Sequence, residues 1–195
     1  MSHRIVFLLV AIAAGIIASR PDAAAQKRNV YTAPETFSSP MQARTESGAA
    51  AATVRIQIDR YTPEGDRKAM TDAMTHGGYP AFVQALRKAP AVGHVEIGDQ
   101  RFTLRWTREQ QTPKGRAISL VTDSPVFFIG GGRVDAKPRQ GFELAVVQLA
   151  VDDFGLGTGT MAAAARVKAD GNGGVVIEDY ANEPIKLTSV YRVIK

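Results

Sequence analysis

Side chains able to perform catalysis or bind a metal are few in this sequence and lie far apart. There is no Cys, and there are three His among 195 residues. A Cys nucleophile, a disulfide framework, a Cys-ligated zinc and a His-rich metal cage are therefore excluded. The sequence also contains neither a G-x-S-x-G elbow nor an H-E-x-x-H motif. We therefore predict no catalytic residue, no metal site and no cofactor.

The remaining ionisable candidates have structural explanations. His76 is predicted near a helix end, where a cation meets the negative end of the helix dipole. His94 and Glu96 share one face of a predicted strand, where we expect an exposed ion pair. Asp152 and Asp153 are adjacent, so in a strand they would point to opposite faces, which disfavours paired acid–base work.

Two glycine-rich segments suggest a ligand, but a turn explains each of them. Residues 130–139 combine three consecutive Gly with Arg and Lys, which suits a phosphate. The P-loop spacing is missing there, however, and no helix is predicted to follow. Residues 170–173 resemble a calcium loop only in composition, because Asp-Gly-Asn-Gly is typical of a tight hairpin turn.

An aromatic stripe supplies the candidate ligand-binding residues, Phe102, Leu104, Arg105 and Trp106. Phe102, Leu104 and Trp106 alternate with polar residues, so a regular strand would place all three on one face. Such a face either packs into a core or lines an apolar cavity, with Arg105 and Arg108 near a ligand's charged end. Both alternatives stay open, and core packing is favoured.

The first 25 residues have the pattern of a secretory signal peptide. Met1–Arg4 supplies a positive start, Ile5–Ala18 is an uncharged apolar run too short to span a membrane, and Ala23–Ala25 fits the small-residue cleavage rule. We expect a periplasmic or secreted chain that begins at Gln26 and keeps no transmembrane segment. The intact mass of the exported protein checks this expectation.

The mature chain is predicted to contain a linker and one domain. Residues 26–50 lack apolar periodicity and are interpreted as a flexible linker. Residues 51–195 form a single β-rich domain, because short alternating segments follow one another at regular spacing with turn residues between them. We predict a mainly β fold, an antiparallel β-barrel or β-sandwich of about nine strands with a small helical insertion.

The helical insertion is placed between Pro63 and Lys88. Thr62 is a suitable N-cap, and Pro63 suits the first helical position. Gly77 and Gly78 are predicted to end this helix, and a second short helix is expected from about Pro80.

Charge excludes one class of partner. The chain has 24 Lys and Arg against 19 Asp and Glu, and the basic residues are spread along it without a dense run. Nucleic-acid binding normally shows a concentrated basic stripe, so no nucleic-acid partner is predicted.

Four stretches carry a resemblance to a known group of proteins: Val54–Tyr61, Gln84–Gly93, Leu120–Asp123 and Glu183–Leu187. Together they resemble an uncharacterised family of secreted bacterial proteins found largely among hypothetical proteins of acidobacteria. The similarity extends over about residues 54–190 and implies export and a single domain. It implies no catalytic or binding residue.

Two functions remain from the sequence. The first is a non-catalytic binding module for a small amphipathic ligand or an envelope protein. The alternative is a hydrolase-type enzyme with an unrecognised carboxylate-based site. A deep pocket with two carboxylates would favour the enzyme, whereas an apolar cavity or patch would favour binding.

Overall fold

The structure is a computed structural model that describes residues 33–45, 48–126 and 139–194, with the backbone alone for residues 43–45 and 48–50. Nine strands and one helical segment lie in these ranges: β1 (Glu35–Thr45), β2 (Gly48–Ile58), α1 (Glu64–Lys88), β3 (Gly93–Ile97), β4 (Gln100–Thr112), β5 (Gly115–Thr122), β6 (Leu144–Val151), β7 (Leu156–Ala169), β8 (Val175–Tyr180) and β9 (Ile185–Val193). The prediction of a mainly β chain with a small helical insertion is confirmed.

Eight of these strands close into an antiparallel barrel. Strands β1 to β6 each pair with the next along the chain, β6 pairs with β7, β7 with β9, and β9 returns to β1. Closure removes the unpaired strand edges that an open sheet would expose. Within the described residues β8 is the one strand with a single neighbour, β7. The sequence left barrel and sandwich open, and the structure is a barrel.

The predicted flexible linker, residues 26–50, is wrong for residues 35–45, which form strand β1. Residues 35–45 lie within the segment interpreted as flexible, 26–50, yet they pair with β2 along their whole length. Phe37 and Met41 are fully buried in the barrel interior. The prediction failed because small and polar residues separate these two apolar side chains, which hides the period-two pattern. The predicted signal peptide and residues 26–32 lie outside the described residues.

The domain has two apolar cores. The first fills the barrel interior, where inward side chains of all eight barrel strands meet. The second lies between the outer wall of the barrel and two covering elements, α1 and the β7–β8 hairpin. The interior core includes Phe37, Ile56, Val95, Leu104, Leu120, Val147, Met161 and Leu187, and the outer core includes Met70, Phe82, Leu86, Trp106, Val121, Val146, Val167 and Val175.

A β-bulge in β4 places the residues of the aromatic stripe in two different cores. Leu104 pairs with Thr122 and Trp106 pairs with Val121, so β4 advances two residues where β5 advances one. Leu104 therefore faces the barrel interior, where Phe102 also packs. Trp106 faces outward against α1, with its ring 6.0 Å from that of Phe82. The prediction that Phe102, Leu104 and Trp106 share one face is wrong.

Helix α1 is interrupted at Gly78, as the two glycines predicted. Gly78 has φ 70° and ψ −170°, and Pro80 begins the second half of the helix. The N-terminal prediction was wrong, because Thr62 makes no cap bond to the helix. Its hydroxyl accepts the backbone N–H of Thr107 at 2.9 Å and so ties the helix entry to β4. No helix in the described part of the chain is long and apolar enough to cross a membrane.

Candidate functional site

The four residues singled out in the sequence do not converge on one site. Leu104 and Trp106 are fully buried in different cores, and Phe102 is half-buried beside the interior core. Arg105 is held by its own partners, with Nε 2.9 Å from Asp123 Oδ2 and Nη1 donating to a backbone carbonyl at 2.7 Å. Core packing thus accounts for the buried members of the stripe, and a ligand role for these residues stays a prediction.

The histidine positions agree with their structural explanations. His94 Nε2 lies 3.3 Å from Glu96 Oε1, and Arg101 also pairs with Glu96. His76 Nδ1 lies 2.7 Å from the backbone oxygen of Asp72, one turn earlier in α1. Among the described residues no group of three or more His, Asp or Glu is placed to hold a metal ion.

In both acidic turns, at Asp152 and at Asp170, a carboxylate oxygen accepts hydrogen bonds from backbone N–H groups. Asp152 Oδ1 accepts the N–H groups of Phe154 and Leu156 at 2.9 and 2.8 Å. Asp170 Oδ1 accepts two backbone N–H groups of its own turn in the same way. These bonds stabilise the hairpins, as the turn chemistry predicted. Most of the glycine-rich loop, residues 130–138, lies outside the described residues.

A charged cluster closes one end of the barrel interior, and we call it the barrel-end network: Glu35, Tyr61, Glu109, Arg116 and Arg192. Arg116 binds both carboxylate oxygens of Glu35, at 3.0 and 3.1 Å. Tyr61 donates to Glu35 Oε1 at 2.5 Å, and Arg192 Nε lies 3.4 Å from Glu35 Oε2. Glu109 Oε1 is 3.5 Å from Arg116 Nη1.

Burial dominates the electrostatics of this network. The side chains of Glu35 and Arg116 are 0% and 2% exposed. Burial, and then the hydrogen bond to Glu35, raises the pKa of Tyr61 above its ordinary value, so its hydroxyl stays a neutral donor. Burial likewise raises the pKa of Glu109, although Arg116 acts in the opposite direction. Glu35, with both oxygens bound and no exposure, is in no position to contact a substrate.

A second cluster lies outside the barrel, at the interruption of α1, and we call it the helix-break groove. It is an open cleft of about 500 Å³ between the second half of α1, the approach to β6 and the outer face of β7. Its walls are formed by Tyr79, Pro80, Val83, Gln84, Arg87, Gln140, Gly141, Glu143 and Arg166.

Tyr79 fixes the floor of the groove. Its position directly after the interruption at Gly78 turns its ring toward β7, where its hydroxyl donates to the backbone oxygen of Ala165 at 3.2 Å. The same hydroxyl accepts the backbone N–H of Glu143 at 3.2 Å. Burial raises the pKa of Tyr79 above its ordinary value, so the hydroxyl remains protonated and keeps both bonds. Through Tyr79, the residue after the interruption, α1 is therefore hydrogen-bonded to β7 and to the segment before β6.

The charged groups of the groove are only partly satisfied. Arg87 Nε donates to the backbone oxygen of Asp123 at 3.2 Å, and no described residue engages its Nη groups. Glu143 Oε1 accepts the N–H of Gly141 at 3.0 Å, whereas its Oε2 is buried and has no partner. Arg166 Nε lies 3.0 Å from Glu178 Oε2, an ion pair whose geometry is not that of a hydrogen bond.

Sequence patterns provided only weak signals for the two clusters. For the barrel-end network the available signal lies in β5, where the inward face begins with a charged residue, Arg116. The next inward residues, Ile118 and Leu120, are apolar. For the groove the signal was weaker, because Arg87 and Glu143 lie far apart in the sequence.

The fold and the groove together define a closed eight-stranded barrel with a surface cleft beside a broken helix. No protein-family model, no curated protein and no solved structure matches the chain. The resemblance to secreted acidobacterial proteins therefore stays a prediction, and the functional argument rests on the geometry of the site.

Proposed function

We propose that this chain is an exported, non-catalytic binding module that takes a small amphipathic ligand in the helix-break groove. One observation carries the proposal: an apolar wall and exposed polar side chains line the same cleft. Pro80 and Val83 supply the apolar wall, while Gln84 and Arg87 supply the polar groups. Its volume of about 500 Å³ is within the usual range of small-molecule pockets.

The barrel interior supports this choice of site by contrast. Many barrels hold their ligand inside, but here the inward side chains of Phe37, Leu104, Leu120 and Met161 are fully buried against one another. An eight-stranded barrel is just wide enough for such filling. A ligand is therefore better accommodated on the outer wall, where α1 leaves a cleft.

The alternative of a carboxylate-based hydrolase receives less support. The barrel-end network does contain two glutamates, but Glu35 is fully buried and bound by Arg116 at both oxygens. A general acid or base must come within hydrogen-bond reach of its substrate. Glu109 alone retains some exposure, and its nearest charged neighbour is again Arg116.

Binding of an envelope protein is the other form of the proposal. Exposed apolar side chains include Phe154, Leu156, Tyr191 and Ile194. Of these, Leu156 and Tyr191 are cross-strand partners. Exposed apolar patches mark interaction surfaces in many proteins. Nothing in the described residues indicates what would cover this patch, so the groove is the better-supported site.

A titration that blocks the groove tests the proposal. Gln84 is exposed on the groove wall, so Gln84→Trp should fill the cleft without disturbing a core. The matched control is Lys68→Trp, on an exposed position of α1 outside the groove. Calorimetric titration with L-leucine, 4-methylpentanoate and isopentylamine should give saturable binding to the wild-type chain and to Lys68→Trp. Gln84→Trp should weaken that binding by about 10-fold or more, since it removes most of the contact surface.

Two results of this titration would contradict the proposal. If none of these probes binds the wild-type chain at millimolar concentration, or if Gln84→Trp and Lys68→Trp bind them equally well, the groove is not the ligand site.

A further inference from the structure

The second half of α1 presents one face to the helix-break groove. Pro80, Val83, Gln84 and Arg87 all line the cleft, and they follow one another at positions i, i+3, i+4 and i+7. Residues at this spacing lie on the same face of a helix. Because an α-helix rises about 1.5 Å per residue, Pro80 and Arg87 are about 10 Å apart along the helix axis. The groove therefore has an apolar end at Pro80 and a charged end at Arg87.

Arg87 supplies the accessible charge of this face. It is exposed, and none of the described residues forms an ion pair with it. Its Nε donates to the backbone oxygen of Asp123 at 3.2 Å, while the carboxylate of Asp123 is bound by Arg105. Burial raises the pKa of Tyr79, and the positive charge of Arg87 acts against that shift, so this charge is felt at the floor of the groove.

The other charged side chains that line the groove are already engaged. Arg166 Nε lies 3.0 Å from Glu178 Oε2, so Glu178 balances its charge. Glu143 Oε1 accepts the N–H of Gly141 at 3.0 Å, and Oε2 of the same carboxylate is buried and out of reach of a ligand. Among the described residues of the groove, the charge left to attract a ligand is therefore positive and lies at Arg87.

This arrangement matches an anion with a hydrocarbon tail. A planar guanidinium binds a carboxylate with two parallel hydrogen bonds, so a carboxylate is the best-matched head group for the Nη groups of Arg87. Val83 and Pro80 lie about one and two turns earlier on the same helix face and offer an apolar surface to a tail. An ammonium group in place of the carboxylate would be repelled by Arg87, and a carboxylate without a tail would leave the apolar wall in water.

We propose that the helix-break groove selects small carboxylates with an apolar tail, of the short-chain or branched-chain fatty acid type. The carboxylate binds the Nη groups of Arg87, and the tail lies along α1 toward Pro80. This inference rests on the proposed function and narrows its ligand class to anions, because the proposed function alone accepts any small amphipathic molecule.

Four probes separate the contributions of head group and tail. The first, 4-methylpentanoate, has both; isopentylamine replaces the carboxylate by an ammonium group, L-leucine adds an ammonium group beside the carboxylate, and acetate lacks the tail. In calorimetric titrations of the full mature chain, 4-methylpentanoate should bind at least about 10-fold more tightly than isopentylamine or acetate, since these lose the charge-assisted bonds and the apolar contact respectively. L-leucine should also bind more weakly, because its ammonium group would lie beside Arg87.

Substitutions at Arg87 should remove the preference. Arg87→Gln should weaken 4-methylpentanoate by about 10-fold or more and leave isopentylamine unchanged or tighter, because the repelling cation is gone. Arg87→Lys keeps the charge without the planar fork and should cause a smaller loss. The matched control is Lys88→Gln, which removes a neighbouring exposed charge that does not line the groove and should change none of the affinities. Thermal melting of each variant verifies that it is folded.

The outcomes distinguish the inference from the proposed function. If isopentylamine or L-leucine binds the wild-type chain at least as tightly as 4-methylpentanoate, and Gln84→Trp abolishes this binding, the groove is a ligand site that does not select anions. Equal affinity of Arg87→Gln and Lys88→Gln for 4-methylpentanoate would also overturn the inference. Absence of binding for all four probes would overturn both proposals. The comparison of probes on the wild-type chain needs no variant, so a misfolded variant cannot obscure it.

Discussion

The barrel-end network and the helix-break groove are built from the same kinds of side chain, used in opposite ways. Each contains one tyrosine and two arginines, with two glutamates in the network and one in the groove. In the network, Arg116 binds both oxygens of Glu35 and Tyr61 donates to the same carboxylate. In the groove, Tyr79 binds backbone groups, Arg87 binds a backbone oxygen, and Glu143 keeps one oxygen without a donor.

Accessibility explains why the two clusters differ. The network closes the end of a filled barrel, and a charge that is buried there must be matched by the protein itself. The groove is open to solvent on one side, so an exposed group such as Arg87 stays hydrated when no ligand is present. Residue types alone therefore do not identify a binding site. The network and the groove differ in whether their charged side chains bind one another or line an open cleft.

The largest expected effect is the loss of a network charge. Arg116→Met removes the guanidinium that binds both oxygens of Glu35 and leaves a buried carboxylate, so the free energy of unfolding should fall by about 3–5 kcal/mol. Urea denaturation followed by circular dichroism measures it. The groove counterpart, Arg87→Gln, should stay within about 0.5 kcal/mol of the wild-type chain, because Arg87 is exposed and has no charged partner among the described residues.

A second variant sharpens this contrast. The pair Glu35→Gln with Arg116→Met should recover part of the loss caused by Arg116→Met alone, because the fully buried carboxylate is removed together with its guanidinium partner. If Arg116→Met and Arg87→Gln change stability equally, the division into a structural and a ligand-facing cluster is wrong.

An intermediate effect is expected at the helix interruption that shapes the groove. Gly78 has φ 70° and ψ −170°, a conformation that side chains with a Cβ rarely adopt, so Gly78→Ala should lower stability by about 1–3 kcal/mol. The cause is the backbone, since an added Cβ would lie 3.7 Å from its nearest neighbour, Pro80 Cδ. Thermal or urea denaturation gives the value.

Gly65→Ala is the matched control for that substitution. An added Cβ at Gly65 meets no atom within 4 Å, and Ala is the better helix former, so stability should rise by up to about 1 kcal/mol. A neutral Gly78→Ala would mean that α1 tolerates a regular turn there and that the groove does not depend on the interruption.

These regions also differ in how far the sequence predicted them. Local patterns were sufficient for the strands after β1, for the hairpin turn at residues 170–173 and for the break at Gly77 and Gly78, because each depends on neighbouring residues. The β4 bulge was not predictable in this way. It places Trp106 in the outer core, and it appears in the pairing of β4 with β5 and not in the alternation within β4 alone.

Long-range placement accounts for the other failures. Strand β1 is stabilised by pairing with β2 and β9, so its weak apolar pattern did not reveal it. Thr62 was expected to cap the helix, but β4 supplies a competing partner in Thr107. Neither charged cluster has a fixed sequence spacing, because barrel closure and helix packing bring its members together.

The smallest expected effect concerns pH and the one glutamate of the network that retains exposure. Burial raises the pKa of Glu109 above its ordinary value of 4.5, with Arg116 opposing and Glu35 reinforcing the shift. Between pH 4.5 and the raised pKa the folded chain binds more protons at this site than the unfolded chain. The contribution of Glu109 to stability therefore falls as pH rises through that window.

The variant Glu109→Gln removes this titration and should gain stability relative to the wild-type chain as pH rises above 4.5. Asp170 provides the opposite sign: burial raises its pKa, but the backbone bonds of its turn and Arg108 outweigh burial, so the pKa lies below its ordinary value of 3.8. The stabilisation from Asp170 is lost on acidification, and the deficit of Asp170→Asn should shrink below that pH. Urea midpoints between pH 3 and 8 measure both trends. If Glu109→Gln follows the direction of Asp170→Asn, Glu109 is a satisfied ion-pair partner of Arg116, and the network is closer to complete charge balance than its burial implies.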